Sequence, residues 1–178
     1  MGYLSRKKFE KQIPELYPRL HRSMTVFAAD SNIDIDDILQ ETFLKAYKKI
    51  DQFDGQSSLY TWLYSIARNI TIDEFRSRKR KPDRSNTPAD EFDIADDNSE
   101  PNETGRPEIY DLRNAVSELP EILREIVVMK TLEGLSYDEI SEVTGINTET
   151  LKNRMFRAKK QLAESLKRTE SENEKRRT

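Results

Sequence analysis

The chain has 178 residues, room for one domain or two small ones, with 35% hydrophobic and 35% charged residues and few glycines and prolines. That balance favours helices with charged surfaces over a β-sandwich, and the absence of cysteine excludes disulfides and thiolate metal sites. No segment approaches the roughly 20 apolar residues of a membrane span, and "MGYLSRKKFEKQ" lacks the apolar core of a secretory leader, so a soluble cytoplasmic protein is expected.

In chain order, residues 6–29 read as helical, with a break expected near Pro14 and Pro18 because proline cannot donate the interior hydrogen bond. "DIDDILQETFLKAYKKI" follows, with Asp34 as N-cap and Ile35, Ile38, Leu39, Phe43, Ala46 and Ile50 as the apolar stripe. Opposite that stripe lie Asp37, Glu41, Leu44, Lys45 and Lys48, with Gln40 beside them. A leucine flanked by both charge signs resembles a protein-docking surface, although single exposed leucines are common. "FDGQSS" is a turn, and Ser57 or Ser58 caps a long helix reaching about Lys81. Its expected core stripe is Leu59, Trp62, Leu63, Ile66 and Ile70, and three helices around one core is the economical arrangement.

The same long helix carries Ser65, Asn69 and Arg76 along one flank beside Arg68, with Tyr60, Trp62 and Tyr64 one or two turns earlier. Cations interleaved with aromatics and Asn suit melted nucleic acid, whose unstacked bases need stacking platforms. Trp62 is the exception, since its place in the stripe makes it core. The helix ends in "RSRKRK", five cations in six residues, more than a helix C-terminus needs for its dipole.

Residues 82–107 hold eight acids, two bases, four of the seven prolines and almost no apolar side chains. Such a segment has too little to bury and reads as a flexible linker. It also makes the net charge of −3 an average over unlike parts, because outside it the chain is positive. Beyond it, Pro107 opens a helix to Glu118, and Pro120 opens the next, to Glu133, which Gly134 ends. "SYDE" is a capping box, Ser136 to Glu139, for a short helix stopping at Gly145, and Asn147 caps a final helix. Short helix, glycine turn and longer basic helix form a helix-turn-helix.

On that last helix Leu151, Met155, Ala158 and Leu162 recur as a buried stripe. The opposite face holds Glu149, Asn153, Phe156, Arg157 and Lys160, and Lys152, Arg154 and Lys159 add to its charge. A solvated basic face is the plain reading of such a run. Helix-turn-helix geometry instead drives it into a major groove, where Arg and Lys meet phosphates and guanine edges, Asn pairs with a base edge, and Phe156 packs on thymine methyls or sugar. A core role for Phe156 follows only if the stripe is wider. No Gly-rich phosphate loop, nucleophile–base pair or metal-ligand spacing is present, so neither an enzyme nor a cofactor or metal site is expected.

Two long stretches carry a family resemblance. "DIDDILQETFLKAYKKIDQFDGQSSLYTWLYSIARNITIDEFRSRKRK" resembles region 2 of the extracytoplasmic-function sigma factors, the smallest members of the sigma-70 family. "ELPEILREIVVMKTLEGLSYDEISEVTGINTETLKNRMFRAKKQL" resembles their region 4, in the family's order. The resemblance implies an all-α protein of two small helical domains: region 2 over 1–81, linker over 82–107, region 4 over 108–168 and a charged tail over 169–178. It implies a promoter-specificity subunit that binds core RNA polymerase. Docking would employ Asp37, Gln40, Glu41 and Leu44, with Lys45 and Lys48 on the same exterior.

The same resemblance implies that the turn Phe53, Asp54, Gly55, Gln56, Ser57 and Ser58, with the helix after it, captures a flipped base of the melted −10 element. Asn69 matches a family DNA-contacting position, Ser65 and Asp73 occupy two others, and Arg68 and Arg76 lie beside them. Lys152, Asn153, Phe156 and Arg157 match the positions that read the −35 element as duplex, with Glu149 and Lys160 at the same surface. An anti-sigma factor is a further family expectation. The alternatives are a stand-alone helix-turn-helix regulator, which leaves the first block unexplained, and an adapter whose basic faces bind acidic proteins.

Overall fold

Helices form where the apolar stripes lie, and their ends fall at side chains that satisfy free backbone donors. The computed structural model describes residues 6–29, 31–80 and 107–176, so all but the last residue of the expected acidic linker lies outside the described residues. The first block is α1 (Arg6–Phe27), α2 (Ile35–Lys49) and α3 (Leu59–Arg80). Asp34 caps α2, its Oδ1 accepting the N–H groups of Asp36 at 2.9 Å and Asp37 at 3.2 Å. Of the two candidate caps for α3, Ser58 serves, its Oγ accepting the Thr61 N–H at 3.0 Å.

Two expectations for this block are corrected. Helix α1 runs unbroken through Pro14 and Pro18. Phe9 on one side of the prolines and Leu20, Met24 and Phe27 on the other are all buried. Each such side chain gains roughly 1.5–3 kcal/mol on burial, which offsets the hydrogen bonds that proline removes. The apolar face of α3 is also wider than expected. Leu63 and Ile70 are buried as predicted, but Leu59, Trp62 and Ile66 are only half-buried, while Tyr60, Tyr64, Ala67, Thr71 and Phe75 are inside. Tyr60 and Tyr64 are therefore not open stacking platforms here. Helix α3 is covered on two sides, by its own block and by the second.

The second block is α4 (Pro107–Ser117), α5 (Glu121–Val127), α6 (Tyr137–Thr144) and α7 (Thr148–Arg176). The expected single helix to Glu133 changes pitch at its end: residues Val128–Leu132 form a π turn, and the Glu133 N–H reaches back to Val128 O at 3.1 Å. Gly134 then turns the chain at φ +68°, in the left-handed region. The capping box is formed, with Glu139 N–H on Ser136 Oγ and Ser136 N–H on Glu139 Oε2. Gly145 takes the left-handed cap of α6, and Asn147 Oδ1 accepts the Thr150 N–H at 2.8 Å at the start of α7. Helix α7 continues to Arg176, through most of the expected tail, and Arg168 and Ser165 bond Glu118 at the end of α4.

The two blocks share one apolar core, in which Phe27, Leu63 and Tyr64 join Leu123, Ile126 and Met129. Helix α1 lies against α5 and the π turn, and α3 lies against α6. Charged groups stitch the seam. The Arg68 Nε donates to Glu125 Oε1, with the two side chains only 10% and 6% exposed. Arg19 pairs with Glu133 at 2.8 Å, and the Ser23 hydroxyl donates to the same carboxylate, which is fully buried. Arg124 donates to Ser117 O and Leu119 O on its own side and to Phe27 O and Ala29 O at the end of α1.

The capping box generates a pH prediction. The Ser136 backbone and side chain hold the Glu139 carboxyl below its ordinary range. A depressed carboxyl contributes stability above its unfolded value, near pH ~4.3, and loses it as pH falls through the lower folded value. Glu139→Gln is expected to flatten that part of the acid limb while leaving the neutral-pH fold intact, as measured by urea unfolding at stepped pH.

Candidate functional site

Three surfaces remain after the core is closed. On α7 the buried stripe is Leu151, Met155 and Ala158, with Leu162 half-buried, as the spacing predicts. Glu149, Lys152, Asn153, Phe156, Arg157 and Lys160 are all exposed, and Phe156 is 70% exposed. Among the described residues neither Arg157 nor Lys160 forms an ion pair, and Lys152 lies 5.9 Å from the Tyr137 ring on α6. Glu149 sits in the first turn, where its charge complements the helix dipole. The face is cationic, with a large apolar side chain at its centre.

The second surface is the outer face of α2. Asp37, Gln40, Glu41, Leu44, Lys45 and Lys48 are exposed together, with Leu44 at 61%. Glu41 and Lys45 pair at 2.6 Å one turn apart. Beside them an open groove of about 480 Å³ runs between α2 and α3, lined by Asp34, Asp37, Glu41, Asp73, Glu74 and Arg78 among others. The face thus carries both charge signs around the exposed Leu44, and the groove beside it is predominantly acidic.

The third surface comprises the turn before α3 and the outer strip of that helix. Gly55 at φ +75° lets the chain reverse, and Asp54 Oδ1 accepts the Gln56 N–H at 3.0 Å. Phe53 is buried with its ring 5.3 Å from that of Trp62, so it braces the turn from beneath, while Asp54, Gln56 and Ser58 are exposed and Gly55 and Ser57 half-buried. Asn69, Asp73 and Arg76 fall on one exposed strip, and Arg76 reaches Asp73 at 3.3 Å. Ser65 is half-buried and its hydroxyl donates to Trp62 O at 2.7 Å. Arg68 does not share the open strip: it is turned into the seam, with Nη1 donating to Asn69 Oδ1 at 3.1 Å.

Residues 13–81 match the family model for sigma-70 region 2, and residues 109–162 match that for sigma-70 region 4. The ECF RNA polymerase sigma-E factor of Haemophilus influenzae is 33% identical over 140 residues, which is 74% of each chain. That of Escherichia coli is 36% identical over 134 residues, 71% of this chain and 70% of the other. This chain belongs to the ECF sigma factors. Among solved structures, the sigma factor RpoE in co-crystal with the anti-sigma factor NepR from Bartonella quintana matches with a TM-score of 0.72 at 26% identity, over 90% of this chain and 98% of that one. CnrH, in complex with the cytosolic domain of CnrY, shares the fold, with a TM-score of 0.63 at 21% identity over 92% and 90%.

The sigma factor thus keeps region 2 on α1–α3 and region 4 on α4–α7. Its helix-turn-helix is α6 and α7. Among the described residues no group of His, Asp or Glu side chains is arranged to hold a metal ion, and no helix is long and apolar enough to cross a membrane. The seam residues Arg19, Arg124 and Glu125 had no place in the sequence reading, and Glu133 entered it only as a helix end. One signal for two of them lay in "ILREIVVM", where Arg124 and Glu125 interrupt an apolar run that the core claims. A charge inside such a run needs a buried partner.

Neighbouring positions on α7 separate packing from recognition. Met155→Ala is expected to cost about 2–5 kcal/mol of stability, and Phe156→Ala no more than about 0.5 kcal/mol. Urea unfolding of the two variants checks it. Equal losses would make Phe156 a core residue.

Proposed function

We propose that this ECF sigma factor binds core RNA polymerase through the outer face of α2 and directs it to promoters, region 2 holding the melted −10 strand and region 4 reading the −35 duplex. The observation that carries the reading is the α7 face. Its Lys152, Asn153, Phe156 and Arg157 are exposed where a helix-turn-helix meets a major groove, and Phe156 has no core to serve. Arg157 and Lys152 supply phosphate or guanine contacts, Asn153 a base edge, and Phe156 an apolar surface for a thymine methyl. Glu149 and Lys160 flank that set.

On region 2, Asp37, Gln40, Glu41, Leu44, Lys45 and Lys48 form the polymerase face, with Leu44 as its apolar anchor. The turn Phe53–Ser58 receives a flipped base, and Ser65, Asn69, Asp73 and Arg76 track the single strand beside it. The functional boundaries are 1–81 for region 2, 82–107 for the linker, 108–168 for region 4 and 169–178 for the charged end. The protein acts in the cytoplasm with its polymerase and performs no chemistry itself. An anti-sigma factor is the expected antagonist, since the Bartonella quintana relative was crystallised with one. A stand-alone regulator would leave the α2 face without a use.

Co-purification with core polymerase followed by run-off transcription tests the whole. Asn153→Ala and Arg157→Ala are each expected to weaken −35-dependent initiation by about 1–3 kcal/mol. Asn69→Ala is expected to spare −35 binding and reduce permanganate reactivity of the −10 region. Loss of duplex binding by all three variants alike would contradict the division of labour.

A further inference from the structure

Between residues 148 and 160 of α7, Glu149 is the one acid. Glu149, Asn153, Phe156 and Lys160 follow one another at i, i+4, i+7 and i+11, so the four exposed side chains form a single line along the helix. That line runs opposite the buried stripe of Leu151, Met155 and Ala158. Glu149 begins it, two residues after the Asn147 cap. A helix-turn-helix brings the N-terminal residues of its second helix against the base edges, so this carboxylate enters the groove rather than skirting its rim.

The helix dipole does not account for that place. Any acid in the first turn would complement it, on this line or off it, and Asn147 already takes the Thr150 N–H. Nor is the carboxylate committed within the protein. Among the described residues Glu149 forms no ion pair, and the Lys152 ammonium, three residues along, lies instead 5.9 Å from the centre of the Tyr137 ring. An ionised carboxylate can only accept hydrogen bonds. On the major-groove edges guanine N7 and O6 and thymine O4 are acceptors and repel it, whereas the cytosine N4 amino group donates to it. Adenine places its donor beside the N7 acceptor, a pair that the amide of Asn or Gln matches and a carboxylate does not.

We propose that Glu149 is a specificity-determining residue that selects cytosine in the −35 element by accepting from its N4 amino group and rejects guanine and thymine at the same position. The inference rests on the reading of α7 as the −35 face and deepens it. Four residues of helix span about 6 Å and base pairs are about 3.4 Å apart, so the cytosine lies within about two base pairs of the base that Asn153 reads. The acid also repels phosphate. It therefore lowers affinity for duplex at large while raising preference for its own site, which is selection partly by exclusion.

The α7 face is open in the free chain, so the full chain can be given duplexes randomised over about ten base pairs, one helical turn, and the bound pool sequenced. The parent is expected to enrich cytosine at one position, with discrimination against guanine or thymine of about 5- to 150-fold. Glu149→Ala should bind random duplex more tightly and lose preference at that position alone, keeping the preferences set by Asn153 and Arg157. Glu149→Gln, which keeps the shape and adds a donor, should move the preference from cytosine to adenine. Competition with N4-methylcytosine tests the atom itself. Pairing with guanine turns the methyl into the major groove in place of the donor, so the parent should lose its preference and Glu149→Ala should be indifferent.

An unchanged base preference in Glu149→Ala, with Asn153→Ala and Arg157→Ala altering theirs, would overturn the proposal and leave the −35 reading standing. Glu149 would then serve the helix alone, and urea unfolding would record its loss only as lower stability. If the parent selects no sequence, or none of the three variants alters the selection, α7 is not the reading face and the proposal falls with that reading.

Discussion

A carboxylate taken out of water must keep a cation or a donor against it, and Glu133 imposes that condition on the whole molecule. Its side chain is fully buried, and its partners, Arg19 and Ser23, come from the other end of the sequence. Removing one partner of a buried pair costs about 3–5 kcal/mol, because the survivor is left charged in a poor solvent. The seam therefore resists partial loosening. Its acids also raise the tyrosine phenols beneath: burial first, then the nearby Glu133, pushes Tyr60 well above its ordinary value, and burial with Glu125 does the same to Tyr64. Both rings stay neutral and work as core.

The outward faces follow the opposite rule. Their charged groups have few commitments that a partner must break. Glu41–Lys45 is an exposed i, i+4 pair worth about 0.3–0.5 kcal/mol, so a docking surface can rearrange it at little cost. Arg157 and Lys160 have no intramolecular acid at all among the described residues, which leaves their attraction for phosphate undiminished. Leu44 and Phe156 are apolar centres within such polar surroundings, the pattern of an anchor with a rim. The carboxylates Glu125 and Glu133 that close the seam are buried against cations, whereas the charges of the outward faces are single or held only in exposed pairs.

How much of this could be read beforehand divides along the range of the interactions. Asp34, Ser136 with Glu139, Gly145 and Asn147 were legible because a cap acts on its own helix within four residues. The outward position of Phe156 was legible because the stripe of Leu151, Met155 and Ala158 fixes the phase of α7. Pro14 and Pro18 misled because local propensity says nothing of the tertiary burial of Phe9 and Leu20 on either side. Tyr60, Tyr64 and Arg68 looked like one flank of a DNA surface, since a helix seen alone has no second neighbour. Glu133 closed a helix in the sequence and closes the domain seam in the fold, and only the long-range partner distinguishes the two.

The central claim is that the outward faces are the working surfaces of this factor, and that the outer face of α2 is the one that meets polymerase. Amide hydrogen exchange on this chain, free and with stoichiometric core RNA polymerase, reads that face directly. The account predicts slower exchange along α2 between Asp37 and Lys48 in the complex, where the partner covers that face. Exchange along α2 unchanged on formation of the complex, with protection appearing elsewhere on the surface, would contradict the account.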